Sequence, residues 1–162
     1  MSKILLFPLL ILLTAAAVFL FLPNDEKIIR KNLTSLAEYS STSPEETTIT
    51  TLKKSTLAAK LCSQPCLIHI ESFDIGREFD KKELKDHILM MKKMLPDTHF
   101  TFHDTGVSFP ENDRAEIMST LRLKGKIDTT RFTDAYELSI HAEKIKSDWF
   151  FSSFTVVEFM EQ

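Results

Sequence analysis

The chain has 162 residues, a formal net charge of −3 and 43% hydrophobic residues, among them 13 Phe, with only two Cys. That length suits one domain plus an appendage and excludes a multi-domain enzyme or a multi-span transporter. Two cysteines exclude a disulfide-dense mini-protein, and 27% charged residues beside 13 Phe exclude a collagen-like or wholly disordered chain.

The first element is residues 4–22, ILLFPLLILLTAAAVFLFL, which carry no charge and only Pro8 and Thr14 outside the apolar set. As a helix they cover roughly 28 Å, close to the ~30 Å hydrocarbon core of a bilayer. Three readings compete: an uncleaved signal-anchor, a secretory signal cut after Ala15-Ala16-Ala17, and a buried core helix. Cleavage there would leave Val18-Phe19-Leu20-Phe21-Leu22 as an apolar new terminus, so the anchor is expected. The absence of a polar face argues against an interfacial helix. Residues 1–23 are therefore expected to hold the chain in the inner (cytoplasmic) membrane by a single pass through residues 4–22. Lys3 stays inside and the 24–162 domain is exported; a cleaved signal would make that domain secreted or periplasmic instead. Lys27, Arg30 and Lys31 weaken the charge argument for this orientation. The rest of the chain has no basic stripe, so nucleic acid is not an expected partner.

Pro23 and Asn24 end the apolar run, and 25–39 reads as a helix with Ile28, Ile29, Leu33, Leu36 and Ala37 near 3.6-residue spacing. Ser43-Pro44-Glu45-Glu46 has the form of a helix start, which predicts a second helix over 44–61 with Ile49, Leu52, Leu57 and Leu61 facing inward. Residues 66–70 read as a strand and 73–79 as a loop. Asp80-Lys81-Lys82-Glu83 is another capping box, with Phe79 and Leu84 at staple spacing. The helix it opens runs to Leu95, with Leu84, Ile88, Met91 and Leu95 as its core stripe.

After Pro96 the period changes to two. His99 to His103 alternates, and residues 111–113 turn. Ala115, Ile117, Leu121 and Leu123 share a face, and residues 124–126 turn again. Phe132, Tyr136, Leu138, Ile140 and Ala142 share a face of a long strand. Residues 146–148 turn into a last strand over 149–159. Helices followed by hairpin-linked strands predict an α+β domain, three helices packed on a mostly antiparallel sheet.

The closing hairpin carries Lys146, Asp148, Trp149 and Phe151, which approximate a "K-x-D-G-x-W-x-I/F" stretch without its Gly. With the element order, this resembles the nuclear transport factor 2-like (SnoaL-like, cystatin-like cone) superfamily over about residues 25–160. The resemblance implies a strongly curved sheet wrapping a helix around a cone-shaped apolar pocket, and often a homodimer through the sheet face. It implies no single activity, since isomerases, dehydratases, hydrolases and non-catalytic modules share the fold.

The candidate chemistry is sparse. Cys62 and Cys66 form a C-x3-C that export would place in an oxidising compartment, so a disulfide is expected; two buried thiols are the alternative, and a metal site with His69 lacks a fourth ligand. His99 and His103 lie about 13 Å apart if their segment is a strand, too far for one metal ion. His87 sits one position off its helix stripe, and His141 opposes Ile140 and Ala142. Met90, Met91 and Met94 read as filling of a helix core rather than copper ligands. Asp104, Asp128 and Asp134 are candidate general bases, Asp134 foremost because it shares parity with Phe132 and Tyr136. Tyr136, Trp149 and His69 are the candidate pocket residues. No metal or cofactor signature appears. The expected role is non-catalytic binding of a partner protein or small apolar ligand. The alternatives are an isomerase or hydrolase using a buried carboxylate, and a structural part of a secretion-type membrane assembly.

Overall fold

The computed structural model describes residues 25–127 and 129–160. The expected anchor and the boundary behind it lie outside those residues; among the described residues no helix is long and apolar enough to cross a membrane. The elements are α1 (Asp25–Ser40), α2 (Thr48–Lys60), β1 (Cys62–Ile70), β2 (Ile75–Phe79), α3 (Lys81–Met94), β3 (Thr98–Glu111), β4 (Arg114–Ile127), β5 (Thr130–Ile145) and β6 (Asp148–Met160). They form an α+β fold with three helices on one six-stranded sheet, ordered β2-β1-β6-β5-β4-β3. Every pairing is antiparallel except β1 with β6.

Helix α1 forms where the spacing predicts it, burying Ile29, Leu33, Leu36 and Ala37 on one face, with Asp25 and Glu26 in its first turn facing the positive end of the helix dipole. Helix α3 closes the predicted capping box: Asp80 accepts from Glu83 N at 2.8 Å and Glu83 accepts from Asp80 N at 3.2 Å. Phe79 and Leu84 are both buried in one apolar cluster, as the staple requires.

Helix α2 differs from the prediction. It starts four residues later, capped by Thr47. Residues 43–46 turn instead, with Glu46 N bonded to Ser43 O at 3.0 Å. Its inward face is also different: Ile49 is 81% exposed and Leu52 is exposed, while Ser55, Ala58 and Ala59 are buried. Small side chains let this helix approach its neighbours closely, and Ser55 returns its hydroxyl to Thr51 O at 2.9 Å, so its burial leaves no orphan. Residues 75–79, expected as loop, are a strand that pairs with β1 from Cys66↔Phe79 to Ile70↔Ile75. Strand β4 likewise runs through the expected turn at 124–126. Gly125 sits there in the strand, because a Cβ would lie 2.5 Å from the Phe132 ring.

The inward faces follow from period-two alternation. Ala115 and Ile117 on β4, Leu138, Ile140 and Ala142 on β5, and Trp149 and Phe151 on β6 are buried against α1. Polar ties fix both ends of α1. At its amino end Lys144 Nζ lies 2.9 Å from both Asp25 carboxylate oxygens, and Asn32 Nδ2 donates to Trp149 O at 3.1 Å. The Trp149 indole, then Lys144, holds the Asp25 carboxyl below its ordinary range against the burial that opposes them.

At the other end Lys92 of α3 is only 2% exposed. Its ammonium donates to Tyr39 O at 3.1 Å and to Ser41 O, and pairs with Glu46 Oε2 at 3.3 Å. Glu46 in turn pairs with Lys54 at 2.7 Å. Burial opposes ionisation of both partners. It pushes Lys92 down, whereas the two lysines outweigh it at Glu46 and hold that carboxyl below its ordinary value. The adjoining loop is stitched to β3 by Thr42 and Thr98, which exchange backbone bonds of 2.8 and 3.1 Å. Lys92→Met leaves two buried carbonyls and Glu46 without their ammonium, so a loss of about 3 kcal/mol is expected in urea unfolding. Glu46's contribution is complete above its ordinary value of 4.5 and is lost as pH falls through its lowered value; Glu46→Gln is expected to flatten that acid-side loss of stability.

Candidate ligand-binding cavity

A cavity of about 330 Å³ lies between the carboxy-terminal half of α1, helix α3 and the sheet. Strand alternation builds most of it: Phe100 and Phe102 on β3, Leu121 on β4, Leu138 on β5, and Phe154 and Val156 on β6 all point in. Leu36 and Ala37 of α1 and Leu84, Ile88 and Met91 of α3 complete the wall. Among the described residues its only polar side chains are those of Ser40 and Cys62, and none that lines it is acidic or basic. A second recess of about 550 Å³ adjoins it, sharing Ile68, Leu84, Ile88 and Met91 and adding His87, Met90, Met94 and Leu95.

Beside this recess four side chains are organised around one ring. The Arg77 guanidinium lies 5.0 Å from the centre of the Phe79 ring, and His87 meets that ring edge-on at 4.8 Å. Arg77 Nη2 pairs with Glu83 Oε1 at 3.2 Å. His87 Nδ1 is 2.8 Å from Glu83 O, and since a carbonyl only accepts, Nδ1 carries the proton.

The residues singled out in the sequence are placed as follows. Cys62 and Cys66 are free, buried thiols, and Cys62 forms part of the cavity wall. Cys62 opposes Phe151 and Leu67 opposes Ser153, so residues 63–66 bulge and bring Cys66 back to the buried side. The neighbouring Cys66 and burial push the Cys62 thiol up, while Cys62 pulls Cys66 down; the Cys62 S–H donates to Ala58 O at 3.8 Å. His69 alternates with Ile68, a cavity residue, and so points to the other sheet face, next to Gly76. Trp149 is buried at the opposite end of α1, with Phe109 edge-on at 5.7 Å and Lys144 over its ring at 5.7 Å. Tyr136 packs at the edge of the core and donates to Asp134 at 3.4 Å. Asp134 is exposed, as is Asp104, which has a φ of 51°; Asp128 lies outside the described residues.

His99 and His103 are exposed on a strand as expected. Among the described residues no group of three His, Cys, Asp or Glu is arranged to hold a metal ion. The methionines split: Met91 faces the cavity, but Met94 is 71% exposed and Met90 is exposed, so they edge the recess rather than fill a core. Sequence reasoning missed the true lining. The signal was present in the parity of Phe100, Phe102, Leu121 and Leu138, but one strand's parity does not show which part of a face is left unfilled. The Arg77–Phe79–His87 group was missed because 73–79 read as loop.

No family model matches the chain, and no curated protein matches it. Solved structures do. A Kribbella flavida protein superposes with a TM-score of 0.68 at 17% identity, over 85% of this chain and 93% of that one. A Nostoc punctiforme protein of unknown function with a cystatin-like fold gives 0.65 at 11%, over 86% and 94%. The hexachlorocyclohexane dehydrochlorinase LinA-type3 of Novosphingobium barchaimii gives 0.65 at 10%, over 84% and 88%. These likenesses show the fold, the α+β cone that the closing hairpin and element order resemble. Burial and the Asp134 charge both raise the Tyr136 hydroxyl above 10.0. Asp134→Asn is expected to bring its titration back toward that value, read by ultraviolet difference spectra against a Tyr136→Phe chain.

Proposed function

We propose that this chain is a membrane-anchored, exported cone domain that binds a small apolar ligand without acting on it chemically. The observation that carries the reading is the composition of the cavity wall: aromatic and aliphatic side chains, with one hydroxyl and one thiol. A wall of that kind favours desolvation of hydrocarbon and offers no fixed charge for a developing transition state. The anchor reading rests on residues 4–22. In an oxidising compartment the Cys62–Cys66 pair would join as a disulfide at the cavity wall. Self-association through the outer sheet face is a separate proposal, read by gel filtration of the full chain.

An isomerase or hydrolase reading draws on the dehydrochlorinase among the similar folds. It needs a buried carboxylate beside the substrate, and Asp134, its best candidate, is exposed.

A fluorescent naphthylamine probe is expected to bind the full chain saturably, one per chain. Leu121→Trp, which places an indole in the cavity, is expected to abolish that binding while leaving the circular dichroism spectrum unchanged. Unsaturable binding, or binding indifferent to Leu121→Trp in a folded variant, would overturn the reading.

A further inference from the structure

The cavity and its recess adjoin as one apolar space, with the Arg77–Glu83 pair beside it. Ile68 belongs to the walls of both and marks where they meet. In the β1–β2 register Ile68 lies directly opposite Arg77, so the two side chains leave the sheet on the same face. Arg77 thus stands at the edge of the apolar space. From the other side His87 of α3 lines the recess and abuts the same Phe79 ring that carries Arg77.

Arg77 has donors to spare. Arg77 uses Nη2 on Glu83, and a guanidinium has five N–H groups in a planar fork suited to a carboxylate. That ion pair is exposed on both sides, so a second carboxylate competes with it at little cost. Glu83 is itself held by the capping box, which fixes the place where Arg77 is tethered. With Nδ1–H committed to Glu83 O, the neutral His87 ring presents only an acceptor at Nε2, so the carboxylate is left to Arg77. The recess that His87 lines also carries Met90, Met91 and Met94, unbranched side chains that adapt to a flexible chain.

We infer that this site takes a single-chain amphiphile with a carboxylate head, its hydrocarbon chain passing Ile68 and Met91 into the cavity and its head resting on Arg77 beside Phe79. This rests on the reading of the cavity as a ligand site. A cationic head would meet Arg77 unfavourably, and a neutral one would leave the charge at the rim unused.

The test uses the full chain and a dodecanoate carrying a terminal diazirine, with the matching dodecanol as the neutral control. Photolysis is expected to label cavity residues such as Phe102 and Leu121 with both probes, the carboxylate at about tenfold lower concentration, the ratio expected for a charge-assisted contact at a partly wet rim. Arg77→Gln is expected to remove that advantage and leave dodecanol labelling unchanged, and Arg77→Lys to restore part of it. Equal labelling by acid and alcohol, indifferent to Arg77→Gln, overturns the carboxylate head while the apolar site stands. Absence of cavity labelling by either probe overturns the site itself, and the head group with it.

Discussion

One ammonium group, that of Lys92, organises the open end of the molecule. It reaches a last-turn carbonyl of α1, a carbonyl of the loop that follows and Glu46 ahead of α2, so a residue of α3 gathers the whole α1–α2 junction onto one charge. An ammonium has three donors, and here each has an acceptor, which is the condition for keeping a buried charge ionised. Without it the free carbonyls at the end of α1 would need another partner, and the loop would lose its reason to turn under α3.

The two ends of α1 are held in the same manner, by charge and hydrogen bonds rather than by close apolar packing alone. Lys144, Asp25 and Asn32 secure the amino end against β5 and β6, and Lys92 the carboxy end against α3. Because polar ties hold the helix, its interface with the sheet need not be filled along its whole length. The cavity exists where the carboxy-terminal half of α1 spans the curved sheet with its smallest buried residue, Ala37, facing it. The polar ties and the apolar cavity wall use different side chains, which separates what stabilises the fold from what is free to bind.

Much of this architecture was legible in the sequence, and the exceptions are instructive. The α3 capping box, the α1 stripe and the period change after Pro96 are local signals, and each appears in the structure. The start of α2 was not legible. Ser43 and Glu46 have the residues of a capping box, but Glu46 is claimed by Lys92 and Lys54, a tertiary demand invisible locally. Its inward face was misread because Ile49 and Leu52 are the larger apolar residues, whereas close approach selects Ser55, Ala58 and Ala59. The short polar strand at 75–79 has an exposed edge and hence little alternation to betray it. The candidate site was read least well. Parity separates inside from outside, so it put Tyr136 on the face of Leu138, but it does not reveal which end of a curved sheet remains empty, and none of the candidate pocket residues Tyr136, Trp149 and His69 lines the cavity.

The single parallel pairing, β1 with β6, sets the order in which the fold can be completed. Strand β1 begins at Cys62, and its partner positions lie near the end of the chain, from Phe151 to Val156. Contacts so far apart in sequence close late and slowly. Until the last hairpin exists, β1 and β2 are an isolated two-stranded ribbon with an unpaired edge, a structure of marginal stability that invites pairing with other chains. Helix α1 likewise waits for Trp149 to receive Asn32. The domain is thus an all-or-nothing object during synthesis: a chain cut short before β6 presents helices without a wall and a sheet edge without a neighbour, and quality control would meet it as an aggregation-prone fragment rather than as a smaller working domain.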